Sequence, residues 1–305
     1  MTEYDTENRN TAGGQKPETQ EHKHDHDHEH GHGHAHEHSR ERSHDHHGHA
    51  ATDPEGMILT VRACSGLSGD MMLAGLAGIA GLNDQELNAL VRELKLPALD
   101  GSLTVEPRAV NHIAGLGCRI ALPHEHAHRN LADIRKIIMD SAMPDAAKEL
   151  SVRAFTILAE AEAAVHGTTT DEVTFHEVGA LDSILDTCLV CRLFTIVRPA
   201  RLICSPLPLA DGVIHCAHGL VPSPAPAVLR LLEGVPVRGF PGDGETVTPT
   251  ALSLLKALDA GFGNWPAMTV HKTIISYGGK IFADAPNGAV WALGRTLGNC
   301  SPHTV

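Results

Sequence analysis

The sharpest constraint on what this chain can fold into is a compositional break near residue 56. Before it no hydrophobic period recurs, and almost every residue is polar, glycine or histidine. Such a segment has too little apolar surface to offset the entropy lost on ordering. The stretch HKHDHDHEHGHGHAHEH places a histidine at every second position, His22, His24, His26, His28, His30, His32, His34, His36 and His38, and SHDHHGHA adds four more. Residues 1–56 hold thirteen of the 23 histidines, and thirteen acids against five lysines and arginines, a formal charge of −8 with histidine neutral. The expectation is a disordered His-rich tail on residues 1–56 and a folded core on residues 57–305.

The core is long enough to bury a sizeable interior, as one large domain or two small ones. It carries 24 acids against 19 bases, −5 in all, which supplies no electrostatic reason to expect nucleic acid or an anionic membrane as partner. The opening MTEYDTENRN lacks the basic, apolar and cleavage-site succession of a signal peptide. The longest nearly apolar stretch, MMLAGLAGIAGL, is too short and glycine-rich to cross a bilayer. A soluble cytoplasmic protein is expected. Seven cysteines, an odd number without a secretion signal, argue for reduced thiols.

Along the core, MILTVRA reads as a strand, SGLSGD as a loop, and MMLAGLAGIAGL as a helix. NDQELNALVRELKL follows with helical spacing and Asn83 as N-cap; SLTVEPRAV and GCRIALP read as strands. After the histidine cluster PHEHAH, Asn130 and Asp133 make a capping-box-like start for LADIRKIIMDS. A long helix is expected from a first turn at Pro144 to Gly167, and a polar entry, TFHEVGALDSILD, runs into a further apolar helix. RLICSPLPL, GVIHCAHG, VPVRG, TVHKTIISYGG and GAVWALG read as strands. SPAPAVLRLLEG and TPTALSLLKAL read as helices, the second with Thr248 as N-cap and Pro249 first. Strands and helices that mix without strict alternation predict an α/β or α+β domain on a mixed β-sheet with packed helices.

Four segments carry chemistry. The loop Ser65, Gly66, Leu67, Ser68, Gly69, Asp70 offers hydroxyls and backbone N–H groups at the positive end of a helix, where phosphates bind. It lacks the ending of a P-loop, and the bland reading is a tight turn with Asp70 capping the helix. Asp182 and Asp186 are four apart, so both carboxylates leave one helix face, with His176 and Glu177 just before its first turn. That cluster suits a divalent metal or proton transfer; the alternative is an exposed acidic face at the helix dipole. Cys216 and His218 are two apart on a strand and face one way, with His215 opposite, half of a site for nickel, zinc or copper. Cys188 and Cys191 have redox spacing but sit in an apolar helix, where core cysteines are the better reading. The tail histidines bind nickel, copper or zinc exchangeably without choosing among them.

Taken in order, the blocks SGLSGDMMLAGL, PHEHAHRNLADI, LAEAEAAVHG, VTFHEVGALDSILD, SPLPLADGVIHCAHGLVPSPAPAVLRLLEGVPV, GETVTPTALSLLKAL and FGNWPAMTVHK resemble the nickel-insertion proteins of the nickel-pincer cofactor pathway, the LarC family. The resemblance runs from about Ile58 to Gly279. It implies insertion of Ni(II) into pyridinium-3,5-bisthiocarboxylic acid mononucleotide, giving a carbon–nickel bond flanked by two thiocarboxylate sulfurs, at the expense of CTP with Mg(II) or Mn(II). Such chemistry needs a nickel delivery site, an anion site for the substrate phosphate, and a base for the ring proton. On this reading the SGLSGD loop holds the phosphate, His176, Glu177, Asp182 and Asp186 supply base and metal ligands, and Cys216 with His218 passes nickel to sulfur.

Departures from the family pattern are Arg62 where an Asp is usual, Leu189 and Cys191 where small residues stand, Ala210 for a glycine, and Ser276. Arg62 reverses a charge beside the proposed phosphate loop. Family members continue into a second, CTP-binding domain, whereas this chain stops at Val305. The expectation is therefore a first portion that works with a separately encoded C-terminal portion; homo-oligomerisation is left open. The alternative is a nickel storage or delivery protein without insertase activity.

Overall fold

The apolar run after the tail becomes β1 (Met57–Ala63), buried at every position except the partly buried Arg62. A strand buried continuously rather than alternately belongs inside a sheet covered on both faces. In the computed structural model, which describes residues 56–122, 129–175, 179–216, 219–283 and 285–297, β1 pairs parallel to β6 (Arg201–Cys204) and antiparallel to β13 (Ala289–Thr296). The seven-stranded order is β11 (Gly261–Phe262), β6, β1, β13, β12 (Met268–Tyr277), β3 (Ile113–Ile120) and β2 (Leu103–Val110). Parallel pairs (β11/β6, β6/β1, β12/β3) and antiparallel pairs (β1/β13, β13/β12, β3/β2) share one sheet, the mixed architecture expected. Short two-stranded pairs join β4 (Arg129–Asn130) to β5 (Thr174–Phe175), β7 (Leu207–Asp211) to β10 (Val237–Asp243), and β8 (Val213–Cys216) to β9 (Gly219–Pro222).

Helix α1 (Gly69–Ala80) lies against β3, β12 and β13, and nine of its twelve residues are buried. Its glycines permit that approach. A Cβ on Gly75 would stand 2.2 Å from the indole of Trp291, and one on Gly78 would stand 2.7 Å from Leu116. Helix α2 (Asp84–Glu93) starts with the expected cap: Asn83 Oδ1 accepts from the Glu86 N–H at 3.0 Å, and Glu86 Oε2 accepts from the Asn83 N–H at 2.9 Å. Asn130 and Asp133 repeat that box for α3 (Leu131–Asp140). In α4 (Asp145–His166) Pro144 occupies the cap rather than the first turn, and Gly167 closes the helix in the left-handed conformation. Helix α5 (Leu181–Val197) buries Ile184, Leu185, Leu193 and the run from Thr187 to Cys191, packed on α1 and on α4. Helices α6 (Pro226–Leu231) and α7 (Pro249–Ala257) complete the layer against α4.

Cys188 and Cys191 are fully buried in α5 and act as core residues; burial pushes the Cys191 thiol up to about 12. Leu189 is buried in the same core. Ser276, one of the departures, has a structural use: its Oγ accepts from Trp291 Nε1 at 2.9 Å, so the indole N–H is not stranded in the interior. Among the described residues no helix is long and apolar enough to cross a membrane. The tail histidines His22 to His38, the PHEHAH cluster, His176, Glu177 and His218 lie outside the described residues.

Candidate functional site

Three segments far apart in sequence are stitched together where β1 passes into α1. The Leu67 N–H donates to the Thr246 carbonyl at 2.9 Å, and the Thr248 N–H donates to the Leu67 carbonyl at 3.1 Å. Thr246 Oγ1 donates to the Pro208 carbonyl at 2.7 Å. Gly66 is required at this seam, since a Cβ there would lie 1.9 Å from the Thr246 carbonyl oxygen. The SGLSGD, SPLPLADG and GETVTPT blocks therefore meet at the amino ends of α1 and α7 (Thr248 caps α7, accepting from the Ala251 N–H at 3.2 Å). Packing of α5 on α1 carries the start of LDSILD to the same place.

The result is an acid cavity of about 350 Å³ lined by Asp70, Asp182, Asp186, Cys118, Thr248 and Thr250, among others. Asp182 is exposed, whereas Asp186 is drawn inward. Asp186 Oδ1 is sealed from solvent and has no hydrogen-bond partner among the described residues. Its Oδ2 would be 2.9 Å from a Cβ on Gly69, so glycine at the first position of α1 leaves room for this carboxylate. Burial first, then the negative charges of Asp70 and Asp182, push the Asp186 carboxyl well above the usual carboxylate range. The same burial, with Asp186 and Asp70 nearby, pushes the Cys118 thiol up. In these positions no three His, Cys, Asp or Glu side chains among the described residues converge tightly enough to hold a metal ion. The cavity gathers donors around an unmatched oxygen without yet closing on anything.

Two further cavities adjoin it through Thr248. One, of about 270 Å³, is lined by Ser65, Gly66, Ser68 and Asp70 of the first loop, facing Glu245 and Lys280. Lys280 Nζ donates to the Asp243 carbonyl and, at 3.4 Å, to the Glu245 carbonyl. The other, of about 480 Å³ and largely apolar, is bordered by His215 and Cys216 of β8, Glu162 and His166 of α4, and Thr250. His166 Nε2 lies 3.6 Å from Glu162 Oε2.

Several expectations change in detail. Asp70 does not cap α1; Ser68 holds the cap position and donates its hydroxyl to the Asp70 carboxylate, which stands in the first turn. Arg62 lines none of these three cavities: its Nη2 donates to the Gly263 carbonyl at 2.9 Å and its guanidinium lies 5.6 Å over the Trp265 ring. The reversed charge is thus engaged elsewhere. Of the residues expected at a site, Ser68, Gly69, Asp70, Asp182 and Asp186 are brought into one cavity, Ser65 and Gly66 border the next, and Cys216 borders the third. Sequence reasoning missed Cys118, Lys280, Glu162 and His166. Cys118 sits in an ordinary-looking strand, and nothing in its neighbourhood along the chain signals two distant helix ends.

Residues 59–299 match the family described as Nickel insertion protein. The chain is 40% identical over 230 residues to a protein of Geobacter metallireducens named "Putative nickel insertion protein", covering 75% of this chain and 59% of that protein. It is 41% identical over 243 residues to a protein of the same name from Myxococcus xanthus, covering 78% and 60%. It is 36% identical over 223 residues to the pyridinium-3,5-bisthiocarboxylic acid mononucleotide nickel insertion protein of Staphylococcus epidermidis, covering 73% and 55%. The chain thus spans less than two thirds of the length of these relatives. No solved structure matches it. With the family's match running through the sheet, the three stitched segments and the acid cavity, the chain belongs to the nickel insertion protein family.

Proposed function

We propose that this chain supplies the nickel-inserting portion of a CTP-dependent insertase acting on pyridinium-3,5-bisthiocarboxylic acid mononucleotide. The observation that carries the reading is the acid cavity, where Asp70 and Asp182 stand near a sealed Asp186 oxygen that no hydrogen bond from the described residues satisfies. Such an arrangement works against folding and makes sense where a cation arrives to balance it.

On this reading Asp182 and Asp186, with His176, receive Ni(II). Glu177 takes the ring proton: the carbon–hydrogen bond breaks, its electron pair goes to nickel, the proton goes to the carboxylate, and nickel remains divalent. The loop Ser65 to Asp70 receives the substrate phosphate with help from Lys280 and the amino end of α1, while Asp70 and Glu245 keep that anion on the Lys280 side of its cavity. The largely apolar 480 Å³ cavity takes the flat pyridinium ring, and Cys216 with His218 hands nickel to the thiocarboxylate sulfurs. CTP with Mg(II) or Mn(II) acts through a C-terminal portion. Histidines of residues 1–56 raise the local nickel supply.

The test is an insertion assay with Ni(II), CTP and the mononucleotide, on this chain alone, with a C-terminal portion, and without residues 1–56. Failure of all three refutes the enzyme and leaves nickel storage or delivery. Glu177→Gln inserting nickel at the wild-type rate would remove Glu177 as the base, and undiminished insertion by Asp186→Asn would remove the acid cavity.

A further inference from the structure

The two cavities beside the acid cavity share part of their wall. Glu245 and Thr248 border both the cavity of about 270 Å³ that contains Lys280 and the largely apolar cavity of about 480 Å³ that contains His215 and Cys216. Backbone bonds hold this boundary from both sides. The Gly244 N–H donates to the Asp211 carbonyl at 2.9 Å, the Thr246 carbonyl accepts from the Leu67 N–H at 2.9 Å, and the Thr248 N–H donates to the Leu67 carbonyl at 3.1 Å. Lys280 Nζ donates to the carbonyl of Glu245 itself at 3.4 Å. The Glu245 side chain, partly buried, therefore stands at a fixed place between a polar chamber and an apolar one.

We propose that Glu245 and Thr248 recognise the sugar of a mononucleotide that spans the two cavities, and that Glu245 makes this chain select ribose over deoxyribose. The proposal rests on the placement given above, phosphate beside Lys280 and ring between apolar walls. A mononucleotide carries its parts in a fixed order, phosphate, sugar, ring, so with its two ends in adjoining cavities the sugar falls at the residues they share.

Those residues match the chemistry of a sugar edge. A vicinal diol offers two O–H donors, and a carboxylate accepts about four hydrogen bonds, so Glu245 can take both and still keep another partner. Thr248 Oγ1 accepts from the Ala251 N–H at 3.2 Å, which leaves its own O–H proton to donate to a sugar oxygen. The charge on Glu245 also keeps a phosphate from settling at the boundary, and it complements the cationic nitrogen through which a pyridinium ring joins its sugar. A ligand without the hydroxyl leaves a partly buried carboxylate short of a donor, and that loss discriminates more strongly than lost apolar contact would.

The test measures binding to the full chain with chelator present and without nickel or CTP, so it is separate from insertion. The probes are nicotinamide mononucleotide, which has the same phosphate, ribose and pyridinium order, and its 2′-deoxyribose counterpart, each titrated by calorimetry. The wild type should bind the ribose form at least ~10-fold more tightly. Thr248 caps α7, so the substitution is placed on Glu245. Glu245→Ala should bring the two probes within about 2-fold of each other, by weakening the ribose form and leaving the deoxyribose form unchanged, and Glu245→Asp should restore part of the preference. A purely structural role would weaken both probes equally. That outcome, a wild type without preference, a preference that survives Glu245→Ala, or binding of neither probe overturns the proposal. A chain that inserts nickel but shows no preference loses the sugar assignment and keeps the function; one that shows the preference but never inserts nickel keeps the assignment and loses the function.

Discussion

Asp186→Asn should make the metal-free protein more stable, by an amount that grows with pH. Its Oδ1 is sealed and has no partner among the described residues, burial disfavours the charged form, and Asp70 and Asp182 repel that charge, so the folded chain holds its proton more tightly than the unfolded chain does. The sign follows from linkage. A group whose folded pKa is raised contributes stability in full below its unfolded value, near 3.9 for Asp, and loses it as pH rises through the folded value. Over that window the wild type loses about 1.4 kcal/mol per pH unit relative to an amide, which has no proton to release. For a core of this size 1 kcal/mol corresponds to roughly 2–4 °C in Tm, so the gap in favour of Asp186→Asn should widen by about 3–6 °C per pH unit. The Asn side chain keeps the shape and offers an N–H toward the two remaining carboxylates. The assay is thermal unfolding by circular dichroism of both full-length proteins with chelator, in unit steps of pH from the carboxylate range to neutrality. The tail histidines titrate in both and cancel in the difference. A Tm gap that does not change with pH, or a variant less stable throughout, would refute the account of Asp186 as a charge held against its environment.

Gly75→Ala should be among the most damaging single methyl additions in the chain. Its Cβ would sit 2.2 Å from the Trp291 indole, at a cost of about 1–3 kcal/mol or more, and Trp291→Phe in the same chain should recover part of the lost Tm. Gly69→Ala is expected to leave the fold standing while moving the Asp186 carboxylate, which lies 2.9 Å from the new methyl; chelator-reversible nickel binding by the core should weaken with little change in circular dichroism. Asn83→Ala removes one half of a capping box and should lower stability by about 1 kcal/mol, read from urea unfolding, with nickel binding unchanged. Deleting residues 1–56 should reduce insertion when nickel is scarce and leave it intact when nickel is plentiful; an equal loss at both concentrations would mean the tail is more than a reservoir.

Local structure was readable because its causes are local. Asn83, Asn130 and Thr248 cap their helices through groups three residues away, Gly167 closes α4 through its own backbone freedom, and the apolar run of β1 announces a buried strand. The pairing of Asp182 with Asp186 needed only the helical repeat. What could not be read was which side chains stand opposite them. The seam of Leu67 to Thr246 and Thr248 joins residues nearly two hundred positions apart, and the burial of α5 on α1 is decided by packing across the whole layer. Nor could the partners of Arg62, the Gly263 carbonyl and the Trp265 ring, be read along the chain, because they come from a distant loop.

The amino-acid sequence by itself determined the break at residue 56, the mixed sheet with its helices, the family, and the acids that start α5. All of these follow from composition, periodicity or motif order, which act over a few residues at a time. Only the tertiary structure decided that Asp70 and Cys118 join Asp182 and Asp186 in one cavity, and that an Asp186 oxygen is sealed there without a partner among the described residues. The chemistry of a carboxylate or thiol depends on the solvent and charges around it, and those are set by elements that approach one another only once the sheet and helices have packed.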